Sequence, residues 1–358
     1  MRTLRGPKSA ADGVQCGLCH EDDAPLRKNE VTFGSVNRAT TIYIDSMDLK
    51  CLACNAVGLR GTAELRCPAC NATYPIVGGI PRFVGDEFYS GSFGFQWNRF
   101  ARTQLDSANG TTQSRDTFVE KTGWALADLR NARVLDAGCG MGRFAEVCAN
   151  AGAEVHAVDL SIAVEAAARN LTGRQNVSVY QADIMNLPFA EGSFDRIYSL
   201  GVLHHTPSTQ AAFERLVPLL KPGGTITIWV YSTELLVWRG GELLRRFTPR
   251  LSRQGLLRLS RLAIPMFYVH TNRLLGRFSR VWLPTSLHPD PEWRWLDTFD
   301  WYAPKYQWKH SADEVEGWFR NAGLEGVRRH SFPVSVSGRR PAASATATVA
   351  SSLAAATR

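Results

Sequence analysis

The stretch VLDAGCGMGR, residues 134–143, decides the fold of this chain. An apolar run leads to Asp136, and glycines then occupy every second position, at Gly138, Gly140 and Gly142. Glycine adopts backbone conformations that are closed to other residues, and it lets a ligand come close to the main chain. The pattern therefore predicts a strand, a tight turn and a helix, with a ligand at the carboxyl end of the strand.

Strand-like and helix-like segments alternate after the glycines. The strand-like runs are AEVHAVDLS, VSVYQAD, FDRIYSL and TITIWVYS; the helix-like runs are RFAEVCANAG, AVEAAARNL and TQAAFERLVPLL, the last stopped by KPGG. Upstream, SRDTFVEKTGWALADL reads as helix, and downstream SADEVEGWFRNAGL reads as a helix that Ser311 caps. The alternation predicts a doubly wound α/β fold, a parallel sheet with helices on both faces.

Acidic residues end the next two predicted strands. Asp159 ends AEVHAVDLS and can accept both hydroxyls of a ribose, while Asp183 ends VSVYQAD, where it can meet an adenine amino group. The third glycine comes one residue earlier than in the Gly-x-Gly-x-x-Gly pattern of dinucleotide-binding enzymes, and no P-loop lysine follows. The spacing therefore favours an adenosine-containing ligand other than a dinucleotide or a nucleoside triphosphate.

The motifs VLDAGCGMGR, AVDLS, QADIMNLPF, FDRIYSLGVLHHTP and LKPGGTITIWV together resemble those of class I S-adenosylmethionine-dependent methyltransferases. The branch that includes the ubiquinone and menaquinone biosynthesis enzymes is the most similar. The resemblance covers about residues 115–232 and 311–337, and it implies a seven-stranded, mostly parallel Rossmann-like sheet that binds S-adenosylmethionine. It implies cofactor roles for Asp136, Gly138, Gly140, Asp159, Leu160, Asp183, Ile184, Leu200 and Gly201.

A general base is required only if the methyl acceptor carries a proton at neutral pH. His204 and His205 follow the fourth predicted strand and are candidates, although both could instead be packing residues of the loop. The segment WRWLDTFDWYAPKYQWKH supplies three more polar candidates for an aromatic-walled acceptor pocket, Asp300, Tyr302 and His310. Packing of this segment on the sheet is the alternative.

Six of the eight cysteines form three Cys-x-x-Cys pairs before residue 71. The second and third pairs, Cys51, Cys54, Cys67 and Cys70, have the spacing of a structural zinc ribbon, whose four thiolates leave no open position on the metal. The stretch RCPACNATYPIVGGIPRF also resembles zinc-ribbon activator proteins of methyltransferases. Cys16 and Cys19 have no obvious partner pair, and whether they hold a second metal stays open.

From Glu234 to Trp282 the sequence has ten arginines and two glutamates, which gives this segment a net charge of +8. The formal charge of the whole chain is also +8. The basic segment 239–280 could be a solvated lid, a surface for anionic lipid or an anionic substrate, or a grip on RNA. The aromatic segment FGFQWNRF could fold over the cofactor with Phe95, Gln96 and Trp97, or act as a hydrophobic hinge.

The predicted organisation has five parts: a disordered start (1–15), a zinc ribbon (16–85), a methyltransferase domain (86–232 and 311–338), a lid (233–310) and a disordered tail (339–358). We expect methyl transfer to a small-molecule, sugar-linked or lipid-linked acceptor. An RNA methyltransferase and a non-catalytic cofactor-fold binding module are the alternatives. The N-terminus has no signal-like apolar run, and no run of about 18 apolar residues occurs, so a cytoplasmic location is expected.

Overall fold

The computed structural model describes residues 49–85, 91–233 and 239–342. The expectations for residues 1–15, for Cys16 and Cys19, and for the tail beyond residue 342 concern positions outside these ranges.

A seven-stranded sheet forms the centre of the fold and confirms the predicted doubly wound α/β class. Its strands are β4 (Arg133–Ala137), β5 (Glu154–Asp159), β6 (Val177–Gln181), β7 (Phe194–Leu200), β8 (Leu220–Trp229), β9 (Glu325–Arg329) and β10 (Ser335–Arg339). They lie in the order β6-β5-β4-β7-β8-β10-β9. The first five run parallel, and β10 pairs antiparallel with both β8 and β9.

Successive residues of the strands point to opposite faces, and each face buries its own apolar cluster. Val134 packs with α3 (Gln113–Thr122), α4 (Arg143–Asn150) and α5 (Ala163–Asn170). Leu135 faces the other cluster, which contains residues of α6 (Thr209–Leu216) and α12 (Ala312–Asn321). The sheet is therefore covered by helices on both faces, as its apolar strands require.

Two helix ends differ from the sequence prediction. Helix α3 stops at Thr122 because Gly123 adopts the left-handed conformation (φ 65°) and donates to the carbonyl of Val119, so SRDTFVEKTGWALADL is not one helix. Helix α6 ends at Leu216, ahead of the KPGG stop, and a 3-10 turn leads into β8. By contrast, the hydroxyl of Ser311 accepts from the amide of Glu314 at 3.1 Å, as predicted for the α12 cap.

The cysteine-rich segment forms a small antiparallel sheet of β1 (Glu64–Arg66), β2 (Thr73–Val77) and β3 (Ile80–Pro81). It lies against β6, the edge strand of the large sheet. The amide of Phe83 donates to the carbonyl of Gln181 at 2.8 Å, and the Arg82 guanidinium donates to the Gln181 side chain at 2.8 Å. An exposed edge strand invites pairing with another chain, and this segment covers part of that edge.

Two helical regions complete the described structure. Ahead of the sheet lie α1 (Gly91–Arg99) and α2 (Asp106–Asn109). The insertion after β8 contains α7 (Arg239–Arg245), α8 (Arg253–Ser260), α9 (Ala263–Thr271), α10 (Gly276–Trp282) and α11 (Pro291–Tyr302). None of the helices in the described ranges has the length and apolar content needed to cross a bilayer.

The glycine turn has the backbone that its sequence predicts. Gly138, Gly140 and Gly142 have φ values of 94°, 53° and 90°. A Cβ atom on Gly138 would lie 2.4 Å from a methyl carbon of Val202, and one on Gly142 would lie 2.9 Å from a methyl carbon of Leu171. The turn therefore needs glycine both for its conformation and for the space around it.

Replacing Gly138 with alanine tests both requirements. Alanine in the left-handed region costs about 1–2 kcal/mol, and the contact with Val202 adds about 1–3 kcal/mol of overpacking. Gly173→Ala is the matched control, because Gly173 has a φ of 84° and nothing within 4 Å of the added Cβ. We expect urea unfolding to show a larger loss of unfolding free energy for Gly138→Ala; equal losses would contradict the packing contribution.

Candidate functional site

A cavity of about 440 Å³ opens at the carboxyl ends of the parallel strands. Its floor consists of the glycine turn and the ends of β5 and β7, and its roof of α1 and α11. Seven of the nine predicted cofactor residues line it: Gly138, Gly140, Asp159, Leu160, Ile184, Leu200 and Gly201. The predicted strand ends therefore meet in one place.

Asp159 links the turn to the second strand. One carboxylate oxygen accepts from the amide of Gly140 at 2.9 Å, and the other accepts from the amide and the hydroxyl of Ser161 at 2.8 and 2.7 Å. Burial raises the pKa of Asp159, and the hydrogen bonds from Ser161 and Gly140 oppose the shift. A carboxylate oxygen accepts more than one hydrogen bond, so capacity for a ligand remains.

The other two predicted acids lie behind the cavity wall. Asp136 is 2% exposed, and one of its carboxylate oxygens has no hydrogen-bond partner among the described residues. Burial raises its pKa to about 7 against the effect of the Tyr198 hydroxyl. Asp183 accepts from the amide of Met185 at 2.9 Å and shapes the loop that carries Ile184 to the cavity. In this structure neither acid is part of the cavity lining.

Helix α11 turns one face toward the cavity, with Trp293, Leu296, Asp297, Asp300 and Trp301 at helical spacing. Burial raises the pKa of Asp297 to about 7 and that of Asp300 to about 6. The hydrogen bond from the Ser286 hydroxyl (3.0 Å) opposes the shift of Asp297. Two carboxyl groups near neutral pKa on one wall are suited to moving a proton.

Asp300 is held from two other elements. The side-chain amide of Gln96 on α1 donates to its carboxylate at 3.0 Å, and the Tyr231 hydroxyl after β8 also lowers its pKa. Gln96 is fully buried, and its own amide oxygen has no partner in the described residues. Gln96 therefore positions Asp300 from the roof of the cavity.

The aromatic segment before the sheet does cover the cavity, but with a different set of residues from the one expected. Phe93, Gln96 and Trp97 line it, at helical spacing along α1. Phe95 faces away and packs against Phe299 of the lid, with ring centroids 6.2 Å apart. Helix α1 therefore covers the cavity in this structure, and whether the segment also acts as a hinge stays open.

The adjacent histidines have different surroundings. His205 lines the cavity, and its Nδ1 lies 2.8 Å from the carbonyl of Tyr306, so Nδ1 carries the proton and Nε2 the lone pair. Burial lowers the pKa of His205 to about 4. His204 is fully buried outside the cavity lining, and within the described part of the chain neither of its ring nitrogens has a hydrogen-bond partner. Its ring centroid lies 3.9 Å from that of Tyr231.

Two of the predicted acceptor-pocket residues lie elsewhere. The hydroxyl of Tyr302 donates to the carbonyl of Pro284 at 2.7 Å, and its ring packs within the lid. The ring nitrogens of His310 lie 2.9 Å from the Thr209 hydroxyl and 2.9 Å from the Glu314 carboxylate. Tyr302 and His310 therefore stabilise the fold in this structure. Their side chains point away from the cavity, whereas Asp300 lines it.

Two cations in the cavity wall were not anticipated from the sequence. The ammonium of Lys121 lies 3.3 Å from the ring centroid of Trp229 and 4.5 Å from that of Phe332. Arg143 donates to the Ser114 hydroxyl at 2.8 Å and lies over the rings of Phe144 and Trp293. Burial lowers the pKa of Lys121 strongly and that of Arg143 to about 10. Neither side chain forms an ion pair with a carboxylate in the described residues.

The four predicted metal ligands are brought together. Cys51, Cys54, Cys67 and Cys70 place their sulfur atoms within 4.8 Å of one another, with two pairs at 3.5 and 3.6 Å. A zinc ion 2.3 Å from four tetrahedral sulfurs sets them about 3.8 Å apart. The cluster therefore fits zinc, and with all four positions filled by thiolates the ion would be structural.

Cys70→Ser tests the metal site in the full chain. Removal of one thiolate should lower the zinc content by about one ion per chain, because structural sites require all four ligands. Plasma mass spectrometry of the purified protein measures the content. Ala69→Ser introduces the same side chain at an exposed neighbour and should keep the metal; equal zinc in both variants would contradict the site.

Comparison with known proteins bears on this geometry. A family model described as a methyltransferase domain matches residues 135–228. A malonyl-(acyl-carrier protein) O-methyltransferase of Enterobacter lignolyticus is 35% identical over 137 residues, 37% of this chain and 53% of the relative. A ubiquinone biosynthesis O-methyltransferase of Xanthomonas campestris is 35% identical over 133 residues, 35% of this chain and 56% of the relative.

Among solved structures, magnesium protoporphyrin IX methyltransferase from Synechocystis with bound SAH is 19% identical; the match covers 70% of this chain and 96% of that one, with a TM-score of 0.41. The chain spans about half the length of the curated relatives it matches. The matched residues run from the first strand of the parallel sheet to the fifth and include the glycine turn. On this match, residues 135–228 form a methyltransferase domain.

Proposed function

We propose that this protein transfers the methyl group of S-adenosylmethionine to a small acceptor bound beneath α11. The observation that carries the proposal is the shared cavity, in which the glycine turn and Asp159 face the lid acids Asp297 and Asp300. Cofactor and acceptor would therefore meet in one cavity. Methyl transfer from a sulfonium requires alignment of the acceptor and exclusion of water more than it requires further activation.

The cofactor fits the floor of the cavity. Asp159 would accept hydrogen bonds from the ribose, Leu160 and Ile184 would enclose the adenine, and Gly138 with Gly140 would let the methionine portion approach. Lys121 and Arg143 favour a carboxylate at their end of the wall, and the methionine portion carries one. Asp136 would act through the turn or an intervening water, and Asp183 through its loop.

The acceptor would lie between the floor and the roof. Phe93, Trp293 and Trp301 supply aromatic walls there, and Asp297 and Asp300 supply carboxylates that can accept a hydrogen bond. A flat or partly apolar molecule with a hydroxyl group suits this chemistry. The two curated relatives are named O-methyltransferases, which also favours oxygen as the acceptor atom. Sugar-linked and lipid-linked hydroxyls are included in the proposal.

Asp300 is the favoured general base. The pKa near 6 leaves its carboxylate ionised at neutral pH yet basic enough to take a proton, and Gln96 holds its position. The depressed pKa of His205 makes this residue a weaker base, and we assign its Nε2 to positioning the acceptor. His204 has no access to the cavity wall and is left out of the mechanism.

Two further parts complete the proposal. Zinc would fix the ribbon through Cys51, Cys54, Cys67 and Cys70, and reduced thiolates suit a cytoplasmic location. An RNA acceptor remains the second candidate, supported by the arginine-rich lid. A non-catalytic binding module is disfavoured, because buried, near-neutral acids facing a cofactor floor have no use in passive binding.

Cofactor binding is the first test. S-adenosylhomocysteine should bind the zinc-loaded full chain in isothermal titration, and Asp159→Ala should weaken binding about 10- to 100-fold by removing charge-assisted hydrogen bonds. Glu154→Ala is the matched control, because Glu154 is the acid at the opposite end of the same strand and does not line the cavity. Absence of binding to the unmodified protein would defeat the proposed function.

The acceptor class is the second test. The protein is incubated with methyl-labelled S-adenosylmethionine and separate pools of small hydroxylated aromatics, lipid-linked glycans and RNA, and the label is traced by mass spectrometry. We expect label in a small-molecule or lipid-linked pool, because the aromatic walls of Phe93, Trp293 and Trp301 suit a flat or partly apolar acceptor. Label in RNA alone would replace the proposed acceptor with the second candidate.

With that acceptor, Asp300→Asn should lower kcat about 10²- to 10⁴-fold. The rate of the unmodified enzyme should fall as the pH drops through about 6, since protonated Asp300 cannot accept a proton. Because the pKa of Asp300 is higher in the folded protein than in the unfolded chain, its ionisation lowers the free energy of unfolding as the pH rises from about 4 to about 6. The variant should therefore unfold no more easily than the parent at pH 8, which separates catalysis from folding.

Asp297→Asn is the matched control for Asp300→Asn, on the same wall one helical turn earlier. The rate of the Asp297→Asn variant should still fall as the pH drops through about 6. A large loss of rate in Asp297→Asn or His205→Ala, with Asp300→Asn unaffected, would show that the base has been misassigned.

A further inference from the structure

The outer surface of the lid exposes large apolar side chains around the α9–α10 hairpin. Leu274 is 88% exposed, Tyr268 74% and Phe278 71%. Leu275 and Trp282 belong to the same stretch, residues 268–282, and are also more than half exposed. Single exposed apolar residues are ordinary, but a group of this size within one hairpin marks an interaction surface.

The same surface is strongly basic. No acidic residue occurs between Glu242 and Asp290. Arg245 turns inward and donates to the carbonyls of Trp301 and Pro304. The exposed arginines of this stretch are Arg246, Arg250, Arg253, Arg258, Arg261, Arg273, Arg277 and Arg280. None of them forms an ion pair with a carboxylate among the residues that the structure describes.

The hairpin is a built element. Helices α9 and α10 approach closely at Gly276, where an added Cβ would lie 2.2 Å from the carbonyl oxygen of His270. The His270 ring and the Ser279 hydroxyl are 2.7 Å apart across the hairpin. With that inner face occupied, α10 turns Phe278 and Trp282 outward, with ring centroids 6.0 Å apart.

We infer that this hairpin docks on an anionic phospholipid surface. Leu274, Leu275 and Phe278 would enter the boundary between headgroups and acyl chains, while Arg273, Arg277 and Arg280 would lie among the lipid phosphates. RNA phosphates would satisfy the arginines but would leave the leucines in water, whereas a bilayer interface satisfies both. The charge complementarity and the apolar tip together select the lipid.

Docking would place the cavity beside the membrane. The guanidinium of Arg294 on α11 donates to the carbonyl of Ile264 on α9 at 3.1 Å and lies 3.9 Å from the ring centroid of Phe267. Helix α11, which forms the cavity roof, is thereby joined to the docking hairpin. The docking surface itself does not depend on the proposed methyl transfer.

Vesicle co-sedimentation of the full chain tests the inference, with phosphatidylglycerol–phosphatidylcholine vesicles and pure phosphatidylcholine vesicles as the probes. The unmodified protein should bind the anionic vesicles and release them as salt rises. The triple variant Arg273→Gln, Arg277→Gln and Arg280→Gln should lower the partition coefficient at least tenfold. The matched triple Arg102→Gln, Arg130→Gln and Arg215→Gln removes the same charge from exposed positions elsewhere and should lower it less than twofold.

The apolar contribution has its own variant. Leu274→Ser with Phe278→Ser should lower binding by a similar factor at every salt concentration at which the unmodified protein binds, because acyl-chain contacts are not screened. Val57→Ser with Val77→Ser, at half-exposed positions of the ribbon, is the matched control and should bind as the parent does. Binding of S-adenosylhomocysteine should be the same in all four variants, which separates a failure to dock from a failure of the proposed function.

Three results would overturn the inference. The unmodified protein could fail to bind anionic vesicles at low salt, or the matched triple could lose as much binding as the hairpin triple. A single-stranded RNA probe could instead bind tightly to the unmodified protein. If the Arg273→Gln, Arg277→Gln, Arg280→Gln variant then lost RNA binding but kept vesicle binding, the hairpin would be an RNA-binding surface.

Discussion

The hydrogen bond from the amide of Gly140 to the carboxylate of Asp159 is the contact on which the site depends. It joins the turn after the first parallel strand to the end of the second, and the amides of Gly138 and Cys139 reinforce it by donating to the carbonyl of Val158. A Cβ atom on Gly138 would meet Val202, and one on Gly142 would meet Leu171, so the glycines also fix how closely the turn packs. The cavity floor therefore has its shape before any ligand enters, and a preformed floor reduces the ordering cost of binding.

Local sequence patterns predicted the floor well and the roof poorly, for a physical reason. Strand ends in a parallel sheet converge on one edge, so the positions of Asp159, Leu160 and Leu200 follow from the order of strands and helices. The roof depends on tertiary packing of an insertion whose proline-interrupted helices give no such rule. Asp300 could be proposed from its aromatic surroundings, but Tyr302, two residues later, points to the opposite side of α11.

Lys121 and Arg143 show a second limit of sequence patterns. Arg143 ends the glycine motif and reads there as an ordinary helix residue, and Lys121 lies near the end of a polar helix. Only the fold brings the Lys121 ammonium over Trp229 and the Arg143 guanidinium beside Trp293. The preference of cations for aromatic faces offered one signal, because tryptophan is frequent in this chain, but nothing in the sequence pairs these residues.

The cavity wall contains ionisable groups whose charged forms are destabilised by burial. Asp297 and Asp300 have raised pKa values, those of Lys121 and Arg143 are lowered, and these opposite charges do not pair within 4 Å. A wall optimised for stability alone would bring such groups into contact or replace them with apolar side chains. Their separation suits the binding of a charged or polar group between them, as the proposed function requires. Helix α11 lines the cavity and α9 belongs to the exposed hairpin, and the hydrogen bond from Arg294 to the carbonyl of Ile264 joins the two.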